Sequence, residues 1–231
     1  SVKAPYLKSV LAELEETLAE KTFVMSGQNG LDNEAQIAQI FGNDRTLRMV
    51  INYAGNLDEN GDVQVTFFNP PNYITALGAK GTGIASQLTE LLNATSLETV
   101  ILDDIRVQTW EKAILNAALS PVCALSRRTM RGVMETDWGV DLVKRLLIES
   151  IAVAEAEGID LGKEFMEHCI EYLKKGGHHK PSMLIDIENN LPTEIDYLNG
   201  RIVEYGRKHS VPTPANETIT TLINLLERKS K

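Results

Sequence analysis

The feature that most constrains this chain is a change of hydrophobic period near residue 103. Before it, short β-branched or aromatic runs alternate with amphipathic stretches. After it, strand-like alternation disappears and apolar residues recur at helical spacing almost to the end. A helix over 9–20, with Val10, Leu11, Leu14 and Leu18 on one side, should feed a short buried strand over 22–26. Further strands are expected at 47–53, 63–68, 73–77 and 99–102, with helices at 31–41 and 84–92 and a hairpin turn at Asp58-Glu59-Asn60-Gly61. That is an α/β region stacking helices on a sheet.

The second half predicts helices near 103–119, 138–157, 160–175, 183–190, 194–209 and 214–228. Gly158, Gly176-Gly177, Pro192 and Val211-Pro212-Thr213-Pro214 separate them, with Thr213 placed to cap the last helix and Pro214 at its first position. The fold class is therefore α/β, then all-α. The domains are an α/β domain over 1–102 and a helical domain over 103–231, the latter packed around Trp110 and Trp138. No internal repeat is visible.

With 43% hydrophobic and 24% charged residues the chain has a globular composition, and no apolar run approaches the roughly 18 residues of a membrane span. No membrane is therefore expected as a partner, and the net charge of −9 sets a field that opposes polyanions unless a local basic patch overrides it, so nucleic acid is not an expected partner either. Two cysteines, Cys123 and Cys169, make no disulfide scaffold and suit the reducing cytoplasm. The intervals among His168, Cys169, His178 and His179 fit no usual metal site, so no metal is expected. Arg127, Arg128 and Arg131 read as a solvated turn rather than a phosphate clamp.

On the helix over 103–119, Val107, Trp110, Ile114, Ala117 and Ala118 form one apolar face, widened by Leu115 and Leu119. Only a narrow wedge stays polar. Lys112, Asn116 and Ser120 occupy it at i, i+4 and i+8, so their functional groups line up along about two turns. Periodicity alone allows a solvated strip or a lysine and an asparagine turned into a cleft.

The words around that wedge carry a resemblance. Trp110-Glu111-Lys112-Ala113-Ile114-Leu115-Asn116, followed by Ser120-Pro121, resembles the W-x-K-x-x-x-N…N-P segment of the ketopantoate reductases (2-dehydropantoate 2-reductases). Val2-Lys3-Ala4, Gln28-Asn29-Gly30, Pro181-Ser182-Met183-Leu184-Ile185-Asp186, Thr193-Glu194-Ile195-Asp196-Tyr197-Leu198-Asn199-Gly200 and Val211-Pro212-Thr213-Pro214-Ala215-Asn216 match in the same order. Together they span nearly the whole chain.

The resemblance implies an NADPH-dependent (or NADH-dependent) reductase. Its first domain would be a partial Rossmann-type domain and its second would be helical, like the C-terminal domain of 6-phosphogluconate dehydrogenase, with a 2-oxo acid bound between them. It implies reduction of 2-dehydropantoate in pantothenate biosynthesis, and it allows a homodimer. Lys112 would protonate the ketone oxygen as hydride arrives, meeting the negative charge that builds there. Glu194 would hold lysine, substrate and cofactor together. Asn29, Asn116, Ser120 and Ser182 fall on the substrate side, and Lys3, Asn29 and Glu194 on the cofactor side. Taken as residues alone, Glu194 could merely complement a helix dipole, Ser182 cap a helix and Asn29-Gly30 form a turn.

There are departures from the family pattern. Ser120 replaces the usual asparagine before proline, and His179 another polar contact, which leaves open a D-mandelate-type 2-hydroxyacid dehydrogenase of the same superfamily. The family's G-x-G-x-x-G turn does not precede Val2-Lys3-Ala4, so the resemblance implies an N-terminally incomplete copy, inactive by itself. If the chain truly starts at Ser1, the competing expectation is a non-catalytic helical binding or oligomerisation module. Gly81-Thr82-Gly83-Ile84-Ala85-Ser86 mimics the missing turn but has serine at the third glycine and falls too late in the region.

Overall fold

Alternation in the first hundred residues produces a four-stranded sheet in the computed structural model, which describes residues 2–227. Its strands are β1 (Val24–Ser26), β2 (Thr46–Val50), β5 (Asn72–Ala76) and β6 (Thr99–Ile101), in the order β1-β2-β5-β6. β1 and β2 are parallel, β2 and β5 antiparallel, β5 and β6 parallel. Every residue of β2 is buried, as expected of a strand covered on both faces. Leu47 and Met49 meet Ile74 and the apolar side of α3 (Thr82–Ala94) through Ala85 and Leu88. In α1 (Leu7–Thr17), Leu7 and Leu11 pack with Ile37 of α2 (Asn33–Phe41) and Val24 of β1.

Arg48 points to the other side of β2, by the two-residue period of a strand. Only 2% of it is exposed. It donates to Ser26 Oγ at 2.9 Å, and Ser26 Oγ donates to Gln28 Oε1 at 2.9 Å. Glu34 lies 3.5 Å from its Nε. Burial lowers the pKa of Arg48, and the charges of Glu34 and Asp32 oppose that shift. β3 (Tyr53–Leu57) and β4 (Val63–Phe68) pair as a separate hairpin. Its turn is the expected one: Asp58 Oδ1 accepts from the amides of Asn60 and Asp62. The break of 47–53 into β2 and β3 was not legible as two strands.

The remaining elements are α4 (Arg106–Ser126), α5 (Met130–Met134), α6 (Asp137–Ala156), α7 (Phe165–Lys174), α8 (Ser182–Glu188), α9 (Asn199–His209) and α10 (Pro214–Glu227). The chain forms two compact units, one of residues up to 28 with 32–108, the other of 29–31 with 109 onward. Among the described residues no helix is long and apolar enough to cross a membrane.

α4 is the spine of the helical unit and runs past its expected end near 119. Proline inside a helix removes one donor, leaving the carbonyl four residues earlier without a partner. Here Pro121 frees the carbonyl of Ala117, and Asn199 Nδ2 donates to it at 2.9 Å. The same Nδ2 reaches Asn216 Oδ1 at 3.0 Å. Asn216 Nδ2 in turn donates to Glu149 Oε2 at 2.8 Å, and Glu149 also accepts the amides of Ala215 and Asn216 at the start of α10. A carboxylate from α6 thus satisfies the orphan donors of a neighbouring helix. Both asparagines are fully buried, and the network ties α4, α6, α9 and α10 into one core.

Trp110 sits in that core, edge-on to Tyr205 with ring centroids 5.1 Å apart. Trp138 does not. It is 88% exposed, because it lies about 120° around α6 from the centre of the face formed by Val143, Leu146, Leu147, Ser150, Val153 and Ala154. The helix expected from 160 begins at Phe165, after a turn in which Asp160 accepts the amide of Gly162.

Candidate active site

Four separate stretches converge within the helical unit, one of them residues 29–31, which carry Asn29. Of the others, the first is the polar wedge of α4, carried by the apolar packing of Trp110, Ile114, Ala117 and Ala118 on its other side. The second is α8, entered through Pro181 in an extended conformation, so that Ser182 is the first helical residue and makes no side-chain cap. The third is the strap 193–198, where the expected continuous helix over 194–209 is interrupted. Ile195–Tyr197 form a single 3-10 turn, and Leu198 leaves the helical region at φ −110°, ψ −93° before α9 begins.

The strap is held from both sides. Leu31 N donates to the Tyr197 carbonyl at 3.2 Å. Gly30, at φ 94°, brings the backbone so close that a Cβ would stand 2.6 Å from that carbonyl oxygen. Only glycine takes this conformation and this approach together. From α10, Glu227 accepts the amide of Thr193 at 3.0 Å, and Asn224 donates to Asp196 at 2.9 Å. Asn29 Nδ2 faces Glu194 Oε2 at 3.5 Å.

Asn29, Asn116, Ser120, Ser182 and Glu194 line one narrow hollow, whose enclosed space of about 10 Å³ is about that of one water molecule. Met183, Asp186 and Leu198 complete its wall. Lys112 is not one of the lining residues; it lies one turn before Asn116 on the same stripe of α4, half-buried. Lys3 belongs to the α/β unit, half-buried just before the 3-10 turn Ala4–Tyr6. Asp186 lies within the Pro181–Asp186 match, and the resemblance implies no role for it. It is buried, and its position at i+4 from Ser182 puts both side chains on one face of α8, the signal that could have found it.

Two amides and two hydroxyls offer neutral donors and acceptors, and two carboxylates accept only. Such a wall can orient a small oxygen-rich ligand, with Lys112 the nearest cation in the sequence of α4. Cysteine chemistry is not available to it. Burial pushes the Cys123 thiol up to about 12, and burial with the charge of Glu111 does the same for Cys169, so neither is a thiolate at neutral pH. Glu111, beside Lys112 in sequence, is itself held above the ordinary carboxylate range by burial, with His168 pulling the other way.

Comparison with known proteins bears on the whole chain. Residues 1–79 match the family model described as ketopantoate reductase PanE/ApbA, and residues 104–227 match its C-terminal model. The 2-dehydropantoate 2-reductase of Streptococcus pyogenes serotype M18 is 27% identical over 227 residues, covering 97% of this chain and 74% of the relative. A crystal structure of a PanE/ApbA family ketopantoate reductase from Ralstonia eutropha JMP134 shares the fold with a TM-score of 0.88 at 24% identity, covering 99% of this chain and 74% of that one. The structure of D-mandelate dehydrogenase with NADH superposes with a TM-score of 0.87 at 27% identity, covering all of this chain and 78% of that one.

Proposed function

The chain belongs to the ketopantoate reductase family of NADPH-dependent oxidoreductases, and on that premise we propose that it reduces a 2-oxo acid to the 2-hydroxy acid, with 2-dehydropantoate the first substrate to test. The single observation that supports this most is the convergence of Asn29, Asn116, Ser120, Ser182 and Glu194 on one hollow. NADPH, when bound, supplies the hydride. This chain's residues supply the rest. Lys112 gives a proton to the ketone oxygen, where a cation stabilises the developing charge. Asn116, Ser120 and Ser182 orient the 2-oxo acid, and Glu194 holds Asn29 and the lysine in register with it.

The donor set after β1 suits a dinucleotide. Gln28 Nε2 is buried without a hydrogen-bond partner, directly after the carboxyl end of a parallel strand, where such folds bind nucleotides. An amide donor there fits a ribose hydroxyl or carboxamide oxygen. Lys3, Asn29 and Glu194 are the other residues proposed for the cofactor.

A second reading, a D-mandelate-type dehydrogenase, is favoured by the likeness to D-mandelate dehydrogenase and by Ser120, which shortens the side chain where an asparagine is usual. Oxidation of NADPH and NADH should be followed with 2-dehydropantoate and with phenylglyoxylate. Preference for the first supports the main reading and preference for the second supports the alternative. Turnover of neither, with either cofactor, by a protein that also carries the family's G-x-G-x-x-G turn overturns both.

A further inference from the structure

The arginines that sequence alone reads as a solvated turn have company in the fold. Residues 127–131 and 174–180 together hold Arg127, Arg128, Arg131, Lys174, Lys175 and Lys180, with His178 and His179, and not one carboxylate. That is six of the 23 basic side chains of a chain whose net charge is −9, so the cluster is no accident of composition. All six are exposed.

The two segments are one surface. Met130 N donates to the His179 carbonyl at 3.1 Å and Arg131 N to the Gly177 carbonyl at 2.8 Å, which satisfies free donors at the start of α5. Arg131 pairs with Glu135 at 2.5 Å and Lys180 with Glu188 at 2.8 Å. Arg127, Arg128, Lys174 and Lys175 make no ion pair among the described residues, although Glu171 lies one turn before the two lysines. Four like charges left unpaired on locked segments raise the energy of the fold, so stability does not account for them.

Each segment is tethered to a wall of the hollow. Lys180 stands two residues before Ser182, at most about 7 Å along the backbone. The arginine turn begins where α4 ends at Ser126, about 9 Å along the helix from Ser120. Both distances, measured from the inner ends of the two segments, are close to the Debye length of about 8 Å at physiological salt, so charge at those ends is only partly screened at the hollow.

We propose that this basic surface collects small organic carboxylates and delivers them to the hollow, which offsets locally the repulsion of an acidic chain. The proposal rests on the 2-oxo acid reading and deepens it: the surface recognises the substrate's carboxylate charge, whereas the hollow recognises its shape. It acts on encounter and affinity rather than on chemistry.

The test uses the full chain and the triple variants Arg127→Gln/Lys174→Gln/Lys175→Gln and Arg127→Glu/Lys174→Glu/Lys175→Glu, with Lys144→Glu as a control for net charge. Binding of oxamate, an anionic analogue of a 2-oxo acid, is measured by titration calorimetry with and without NADPH at low and high salt. KM and kcat are measured in parallel. Weakening of about three- to tenfold for the reversed variant at low salt is expected, with a smaller loss for the neutral one, convergence near 0.5 M salt and unchanged kcat. A neutral 2-oxo amide should not distinguish the variants. Equal oxamate affinity in wild type and reversed variant, no oxamate binding by wild type, or an equal loss in Lys144→Glu overturns the proposal. Oxamate binding with the expected salt dependence but no turnover of any 2-oxo acid overturns the proposed reaction and leaves the collecting surface standing.

Discussion

Two pairs of asparagines, all four within sequence matches to one family, do opposite work. Asn199 and Asn216 are sealed in the helical core, where their amides bind the Ala117 carbonyl, one another and Glu149. Asn29 and Asn116 line the hollow, and Asn29 faces the carboxylate of Glu194. A buried amide that loses its partner costs free energy, whereas an amide at the wall of a hollow can exchange its contacts for those of a ligand. The contrast teaches that a polar residue in a family motif has a job, but only its surroundings say whether the job is architecture or chemistry.

The comparison breaks first at Lys112, the cation on the stripe shared by Asn116 and Ser120. Lys112→Ala should lower kcat by about 10²–10⁴-fold with the melting temperature and dinucleotide affinity unchanged. A variant that keeps most of the wild-type rate at saturating 2-oxo acid would return the stripe to the status of a solvated strip. The paired asparagines come next. Asn216→Ala removes one of the three donors to Glu149 and one of the two acceptors of Asn199 Nδ2 and should cost about 1–3 kcal/mol in urea unfolding, while Asn116→Ala should change stability by less than about 1 kcal/mol and raise KM instead. Were the two to lose stability equally, the distinction between core and wall would fail.

The smallest effect sharpens the same contrast on another side of α4. Burial holds the Glu111 carboxyl above its ordinary range, so the folded chain binds a proton that the unfolded chain releases. The resulting stability is complete below the ordinary carboxylate value of 4.5 and is lost as pH rises through the folded value. Glu111→Gln should therefore raise the unfolding midpoint at neutral pH. That advantage should vanish in scans below about pH 4.

Much of this was legible in the chain. The 3.6-residue period placed the apolar face of α4 and the stripe of Lys112, Asn116 and Ser120, and the turn residues placed the β3–β4 hairpin. These are local signals. What escaped depends on partners far away in sequence. The continuation of α4 past residue 119 rests on Asn199, which donates to the carbonyl that Pro121 leaves free and lies 82 residues away from it in sequence. The interruption at Leu198 follows from contacts of the strap with 30–31 and with α10, which no window of sequence contains. The bulk of Trp138 predicts burial, but its place on α6, away from the apolar face, leaves it in solvent. The arginines of 127–131 looked idle until backbone bonds joined them to the lysines of 174–180. Asp186 shares a face with Ser182 only once α8 is known to start at Ser182.

The grip of α10 on the strap has a consequence for the order of events in synthesis. Glu227 holds the amide of Thr193, and Asn224 holds Asp196, on either side of Glu194. A chain emerging from the ribosome at about 5–20 residues per second can make the sheet early and much of α4 soon after. The strap lacks its bonds at Thr193 and Asp196 until the last turn of α10 has arrived. Nascent chains stopped short of residue 224 should thus carry every proposed site residue and still lack the geometry that brings Glu194 to the hollow.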